Sequence, residues 1–365
     1  MNVLIANLGS TSVKYQVLEM PAERVLAQGK IERVVDYQKA IKDEMGGLSV
    51  QIDAVAFKTV HGGPDYCGTY LVDEGVLGAL EEYLVAAPVH NRIYVDGIRA
   101  FQQALPGVPL VAAFETEFHR TRPAESRAYG VPYEWAEQYG VRKYGFHGAS
   151  HEYVANRVPE ALGALPRDLR IVSCHLGGSS SICAIRYGKS IDCTMGFSPQ
   201  SGIQNATRHG DLDLFAVLHL MKKLGLSLEE VLDALTRKGG LAGLSGVAGG
   251  DMRDIVAEMD EGNPHATLAF DVLVYEIQKC IGAYAVAMEG LDAIAFTGGI
   301  GENRYHLRSA VCLGLGLLGV ELCEELNVGK GVDRVISTPQ SKVKVMVVQA
   351  NEELMVARRA MRVLS

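Results

Sequence analysis

The residues best suited to chemistry sit in two short stretches, NLGSTSVKY at 7–15 and HLGGSSSIC at 175–183. Each follows an apolar run, VLIA at 3 and RIVSC at 170, and each sets Leu-Gly and small hydroxyl residues ahead of an alternating segment. Glycine lets backbone N–H groups face outward and Ser or Thr hydroxyls add donors, a combination that suits phosphate oxygens. Either stretch alone reads as an ordinary hairpin with small turn residues. Two copies, led by Asn7 and by His175, point to a nucleotide clamped between related domains. Neither fits GxxxxGK[ST], which excludes a P-loop enzyme.

Other motifs add to the same picture. FTGGIGEN at 296–303 runs an apolar strand into three glycines and an acidic helix start, where a phosphate or a ring can lie against backbone. GLGLLG at 314–319 matches GxGxxG, with Asp333 near the expected acidic position. The residues before it, ENRYHLRSAVCL, have a helical pattern, whereas a dinucleotide fingerprint follows a strand, so it reads as the Gly-rich end of a packed helix. His61, His90, His119, His147 and His175 each lie in or beside a Gly-rich or strand-end segment. Together with Lys58, Arg208 and Arg253 they outline a pocket for negative charge. His147 and His151 are four apart, but no Glu follows His147, so HExxH zinc chemistry is excluded and no histidine is assigned to a metal. Three carboxylates stand out: Glu115 at a strand end, where burial requires a partner; Asp251 closing a Gly-rich segment; and Glu352 opening the last helix.

These groups need a scaffold. The chain has 365 residues, beyond what one core usually organises, so two domains are expected. Apolar residues make up 48% and the net charge is -8, which argues against a nucleic-acid or anionic-membrane surface. Seven scattered cysteines without a CxxC pair fit reduced thiols, and no signal peptide is read at the N-terminus, so a cytoplasmic protein is expected. The longest apolar run, AVCLGLGLLGV at 310–320, is too short and Gly-rich to span a membrane. Strand-like runs begin at 3, 13, 54, 109, 170, 181, 293 and 343. Between them lie a capping box at Ser227 and Glu230 and amphipathic stretches at 264–290, 302–313 and 351–363. Alternating strands and helices indicate an α/β protein with a ligand cleft between domains.

In this order NLGSTSVKY, VHGG, APVHN, FETEFHRT, YGFHGASH, HLGGSSS, GKSIDCTMGFSP, TRHGDLD, SGVAGGDMRD, FTGGIGEN and NEELMVAR resemble the acetate kinases, over nearly the whole chain. That family lies within the sugar kinase, Hsp70 and actin superfamily. The resemblance implies two similar duplicated α/β domains with an interdomain cleft. It places an N-terminal domain at 1–120, joined by a returning helix at 355–365, and a nucleotide-binding, dimer-forming C-terminal domain at 121–354. It also implies reversible, Mg²⁺-dependent transfer of the ATP γ-phosphoryl group to a short carboxylate, giving an acyl phosphate and ADP, by a homodimer. The roles it implies are as follows. Asn7 and Glu352 hold Mg²⁺, while Ser12 and Lys14 approach the phosphates. Glu115 takes the catalytic acidic position, and Arg208, His147 and His175 surround the transferring phosphoryl. Asp251, Met252 and Arg253 contact the nucleoside, beside the loop Gly299, Ile300, Gly301, Glu302 and Asn303, and the turn Leu176, Gly177, Gly178 and Ser179 faces the phosphates. Lys58, Val60, Val89, His90, Phe146 and Pro199 bind the acyl substrate.

The chain departs from the family pattern inside this set. Glu115 replaces Asp, Lys58 replaces Arg, Val89 replaces a typical Leu, Gly178-Ser179 replaces Asn-Gly, and NATR before His209 replaces MGTR. Lysine cannot reproduce the planar fork of arginine, and Glu reaches about one bond further than Asp. The expectation is a catalytic site retuned toward an acyl group larger than acetate. A pyrophosphate donor, a different acceptor and a catalytically silent nucleotide sensor remain as alternatives.

Overall fold

The computed structural model describes residues 1–9, 12–34, 36–88, 90–331 and 333–365. Two six-stranded mixed sheets form the framework. The first contains β1 (Asn2–Gly9), β2 (Ser12–Glu19), β3 (Arg24–Glu32), β4 (Ala54–Thr59), β5 (Thr69–Leu71) and β6 (Leu110–Phe114), in the order β3-β2-β1-β4-β6-β5. The second contains β7 (Arg170–His175), β8 (Ser181–Arg186), β9 (Lys189–Cys193), β10 (Ala293–Thr297), β11 (Arg334–Val335) and β12 (Lys344–Val347), in the order β11-β12-β10-β7-β8-β9. In each sheet the first three strands form an antiparallel meander. The first strand then runs parallel to the fourth and the fourth to the sixth, with the fifth antiparallel on the outer edge. Exchanging β1–β6 for β7–β12 converts one topology into the other, so the chain is two similar domains.

All eight strand-like runs of the sequence fall in strands. The four strands that the apolar pattern missed are β3, β5, β9 and β11, and all four are sheet edges. Edge strands carry polar and charged residues that blunt further pairing, so they lack an apolar run. The central strands are the opposite: every residue of β6 (LVAAF) and β10 (AIAFT) is buried, as parallel strands covered on both faces require.

The period of two decides which face each side chain takes. Leu4, Ala6 and Leu8 of β1 face a core shared with helices Tyr37–Gly47, Glu74–Glu82 and Asn91–Ala104. Val3 and Ile5 face the other way, onto Met355, Val356, Ala357 and Ala360 of the terminal helix Glu352–Leu364. The second sheet repeats the scheme. Helices that include Pro264–Ala287 and Tyr305–Leu313 cover its outer face. Val154, Ala155 and Val158 of the central helix Gly148–Leu162 cover its inner face. The two inner helices touch each other.

Arg359 of the terminal helix is fully buried where they meet. Its guanidinium pairs with Glu152 of the central helix at 2.6 Å and donates to the Phe114 carbonyl at 3.2 Å, at the end of β6. The chain end therefore docks on the first domain while it also grips the second. GLGLLG follows the helix Tyr305–Leu313, as its sequence context predicts. Both arms of the Ser227–Glu230 capping box form. Among the described residues no helix is long and apolar enough to cross a membrane.

Candidate active site

Parallel strands leave their carboxyl ends open for ligands, and here both sheets turn those ends toward one cavity of about 600 Å³. Asn7 and Gly9 come from the end of β1, Lys58 from the end of β4 with Val60 just after it, and Glu115 follows β6. From the second domain come His175 with Gly177, Gly178 and Ser179 after β7, Gly298 and Gly299 after β10, and Ala350 with Glu352 after β12. His90, Phe146, His147, Pro199, Arg208 and Glu302 complete the expected residues that line it.

Charge in the cavity is arranged unequally. Glu115 is buried, and among the described residues neither carboxylate oxygen has a hydrogen-bond partner of good geometry. Burial above all raises its pKa, against the pull of Lys58 at 3.7 Å. Lys58 Nζ is hydrogen-bonded and ion-paired to Glu352. Burial acts to raise the Glu352 pKa, but Lys58 and then His175 outweigh it, and the carboxyl ends below its ordinary value. Burial likewise acts to lower Lys58, and the two carboxylates reverse that, so the ammonium stays charged. One cation thus serves two carboxylates.

The same cavity holds a second cation and a set of imidazoles, of which His175 lies 4.0 Å from Glu352. Arg208 donates to the Pro199 carbonyl at 2.9 Å. Among the described residues it forms no salt bridge, and burial lowers its pKa only to about 10. Burial also holds His147 well below 6.5 and brings His90 down to about 4, with the Arg208 and Lys58 charges adding to the effect at His90. Both are therefore neutral near pH 7. The His147 and His175 rings lie 4.3 Å apart. His147 sits in the left-handed region at φ 55, immediately before the central helix. Such a conformation in a non-glycine residue stores strain of the kind found at functional sites.

The Gly-rich turns are braced rather than loose. The Leu176 carbonyl accepts from the N–H groups of Ile300 at 2.8 Å and Gly301 at 3.1 Å. A Cβ on Gly298, at φ +77, would come within 2.7 Å of the Leu176 oxygen, so only glycine fits there. Glu302 accepts from the N–H groups of Gly298 and Ala350, both at 3.0 Å, which ties the ends of β10 and β12 together.

Several expected ligand residues lie outside the cavity lining. Leu176, Met252 and Gly301 are buried, Ile300 packs against the core, and Asn303 donates to the Gly299 carbonyl. Asp251 caps the helix Met252–Asp260 and pairs with Arg253 at 2.6 Å; that hydrogen bond holds its carboxyl at about 2. Ser12 begins β2 opposite Gly9, and Lys14, exposed, pairs in register with Asn7. Lys14 lines a neighbouring cavity of about 500 Å³, and Glu353 borders both cavities. Val89 falls outside the described residues.

The motif reading missed Leu8, Gly9, Ile93, Tyr94, Gly298, Ala350 and Glu353 in the lining. Ile93 and Tyr94 lie in the first turn of the helix Asn91–Ala104 and, with Val60, Phe146 and Pro199, add apolar surface to the lining. Their signal was the position one turn beyond His90, a cue no motif carries.

Three buried histidines serve the walls. His119 donates from Nε2 to the Phe146 carbonyl and meets Ser190 at Nδ1, each at 2.8 Å. His61 Nε2 donates to the Phe197 carbonyl at 2.8 Å. His119, His151 and Cys193 bring possible ligand atoms within 4.8 Å of one another. The ring nitrogens of both histidines are already hydrogen-bonded, so that cluster is not a metal site.

One backbone contact positions the acid. Gly148 N–H donates to the Glu115 carbonyl at 3.0 Å, and a Cβ on Gly148 would lie 2.1 Å from that oxygen. Gly148→Ala must push the Glu115 backbone away. A displacement of this order lowers turnover by about 10²-fold. Steady-state kinetics on folded variant, checked by circular dichroism, measures the loss.

Comparison with known proteins gives the same assignment throughout. A sequence profile of the Acetokinase family matches residues 37–358. The acetate kinase of Fervidobacterium nodosum is 44% identical, covering 98% of this chain and 96% of the relative. That of Thermotoga maritima is 43% identical over 98% and 97%. The crystal structure of Porphyromonas gingivalis acetate kinase superposes with a TM-score of 0.90 at 37% identity, covering 100% of both chains. A propionate kinase from Francisella tularensis superposes with a TM-score of 0.90 at 30% identity, covering 99% of each. With a duplicated fold, a shared cavity at the strand ends and relatives matched along their full length, this chain belongs to the acetokinase family.

Proposed function

We propose that the chain transfers the γ-phosphoryl group of ATP reversibly to a short-chain carboxylate, forming an acyl phosphate and ADP. The observation that carries this reading is the set of charged groups and donors gathered in one cavity. The lining holds a half-buried guanidinium with no carboxylate partner among the described residues, imidazoles kept below their ordinary pKa by burial, and two carboxylates that share a single lysine. Phosphoryl transfer depends on positioning and on electrostatic stabilisation of the equatorial oxygens. Arg208 supplies the charge there, and His147 and His175 supply donors without adding repulsion to it. The Gly177–Ser179 turn and Gly299 offer backbone to the nucleotide phosphates. The pair Asp251 and Arg253 is the proposed nucleoside contact. Val60, Ile93, Tyr94, Phe146 and Pro199 form the acyl end.

Mg²⁺ fits the donor set. Asn7, Glu352 and the orphaned Glu115 oxygens are hard oxygen ligands on one wall. Asn7 and Glu352 would hold the ion, with Glu115 beside it. When bound, the ion neutralises charge on the phosphate oxygens. Lys58, held between Glu352 and Glu115, sets how much negative charge that wall presents.

A pyrophosphate donor or a silent nucleotide sensor has less support, since the relatives are acetate and propionate kinases. The propionate kinase among them supports an acceptor range that extends past acetate. Trapping the acyl phosphate as hydroxamate with ATP, Mg²⁺ and a panel of short acids tests the reading. Product with acetate or propionate is expected, and Arg208→Ala should lower kcat by about 10²–10³-fold. ATP binding without hydroxamate from any acid would favour the sensor.

The working unit we propose is a homodimer joined through the second domain. The helix Leu214–Leu224 has no buried residue, and Leu214, Phe215, Leu218, Leu220, Leu224 and Leu228 are all exposed. An apolar row of this kind marks an interaction surface. Light scattering should give twice the chain mass of 39.4 kDa, and Phe215→Glu with Leu218→Glu should halve it. The seven free cysteines support a reducing compartment such as the cytoplasm.

A further inference from the structure

His151 has no part in the transfer chemistry above, yet it is fully buried one helical turn beyond His147. Both of its ring nitrogens are engaged. Nδ1 lies 2.8 Å from Ser173 Oγ, and Nε2 lies 2.8 Å from Ser181 Oγ. Ser181 Oγ is also 2.8 Å from His147 Nδ1. The result is an unbroken line, Ser173 to His151 to Ser181 to His147, running from the core of the second sheet to the cavity.

A neutral imidazole carries one N–H, and a hydroxyl carries one proton. The line therefore has two polarities in which every bond runs in one sense. A mixed one, with Ser181 accepting from both rings, leaves the Ser181 proton buried without an acceptor among the described residues. In one of the two, His147 donates from Nδ1 to Ser181, Ser181 donates to His151 Nε2, and His151 donates from Nδ1 to Ser173. His147 Nε2 is then a bare acceptor. In the other, every bond reverses and His147 carries its proton on Nε2.

Ser173 distinguishes them. It is 0% exposed, and among the described residues its hydroxyl has His151 Nδ1 as its one hydrogen-bond partner. The first polarity leaves the Ser173 proton buried without an acceptor, which disfavours it by roughly 10-fold or more. The second uses that proton.

We propose that Ser173, His151 and Ser181 are positioning residues that hold His147 in its Nε2–H tautomer, so that it offers a donor to the transferring phosphoryl group. This rests on the phosphoryl-transfer reading for its purpose, though not for its geometry. The order of donation is Ser173 O–H to His151 Nδ1, His151 Nε2–H to Ser181 Oγ, Ser181 O–H to His147 Nδ1, and His147 Nε2–H to a phosphoryl oxygen. No bond to a heavy atom changes along the line, and no proton leaves it.

The test is the tautomer itself, read by two-bond ¹H–¹⁵N correlation on protein labelled with [¹⁵N]histidine, with His147 assigned from His147→Gln. The wild-type protein should show His147 protonated on Nε2. Ser173→Ala removes the anchoring proton, and the Nδ1–H form of His147 should become populated. In that variant kcat should fall roughly 10-fold while KM for the carboxylate stays within about 2-fold. Ser173→Thr, which keeps the hydroxyl, should restore both readings. Ser181→Ala breaks the line at its middle and should also release the tautomer, which covers the case in which Ser173→Ala folds poorly. A wild-type His147 protonated on Nδ1 would overturn the proposal. So would a tautomer unchanged in both alanine variants, or one that shifts with no loss of kcat in an active enzyme. If the tautomer shifts as expected in a protein that makes no acyl phosphate, the relay stands and the phosphoryl-transfer reading falls.

Discussion

A single ammonium group shared by two carboxylates governs the centre of this protein. Lys58 comes from β4, Glu115 follows β6, and Glu352 opens the terminal helix. An unpaired buried carboxylate carries a desolvation penalty of several kcal/mol, so the lysine is what allows both acids to sit beside the cavity. Its ammonium pairs with Glu352 and lies 3.7 Å from Glu115, so one cation answers both acids. The same arrangement dictates where the helix Glu352–Leu364 must pack. Glu352 follows the last strand of the second sheet, yet it has to reach a lysine of the first domain. The terminal helix therefore packs its Met355, Val356, Ala357 and Ala360 face on the first sheet. Arg359, two turns further along, secures that crossing through Glu152 and the Phe114 carbonyl, the residue directly before Glu115.

The histidines of the cavity follow a different rule. They are neutral because burial withholds their charge, with neighbouring cations as a secondary cause. A charged imidazole beside Arg208 would repel it, whereas a neutral one adds a hydrogen bond where phosphoryl charge spreads. Preorganised donors in a water-poor site act without reorganisation during the reaction. The strained backbone at His147, the tight contact of Gly148 with the Glu115 carbonyl and the bracing of Leu176 by Ile300 and Gly301 all keep such donors in place.

Much of this was legible in the sequence, for physical reasons. The central strands announce themselves because both faces are buried, and β6 and β10 contain almost nothing but apolar residues. The edges β3, β5, β9 and β11 did not, since their polarity is what prevents further pairing. The repeated Leu-Gly turn predicted a duplicated fold, and the two sheet topologies match strand for strand. The Gly-rich and His-bearing motifs supplied most of the cavity lining. What they could not show was pairing across long separations. Lys58 and Glu352 are 294 residues apart in the chain, and no local pattern reveals that the substituted lysine meets the proposed metal carboxylate. Ile93 and Tyr94 were missed because a helix face acquires meaning only once its partner is placed. The Ser173–His151–Ser181 line was hidden for the same reason, with its members spread over a helix and two strands.

The central claim is that Lys58 sets the negative charge available to the proposed metal wall. Equilibrium binding of Mn²⁺, followed by electron paramagnetic resonance with ADP present, reads this directly. Lys58→Met should tighten Mn²⁺ binding by roughly 10-fold or more, because Glu352 then meets the ion without a competing ammonium, and Glu115→Gln should weaken it by a similar factor. Weaker Mn²⁺ binding in Lys58→Met, or unchanged binding in Glu115→Gln, would contradict the account.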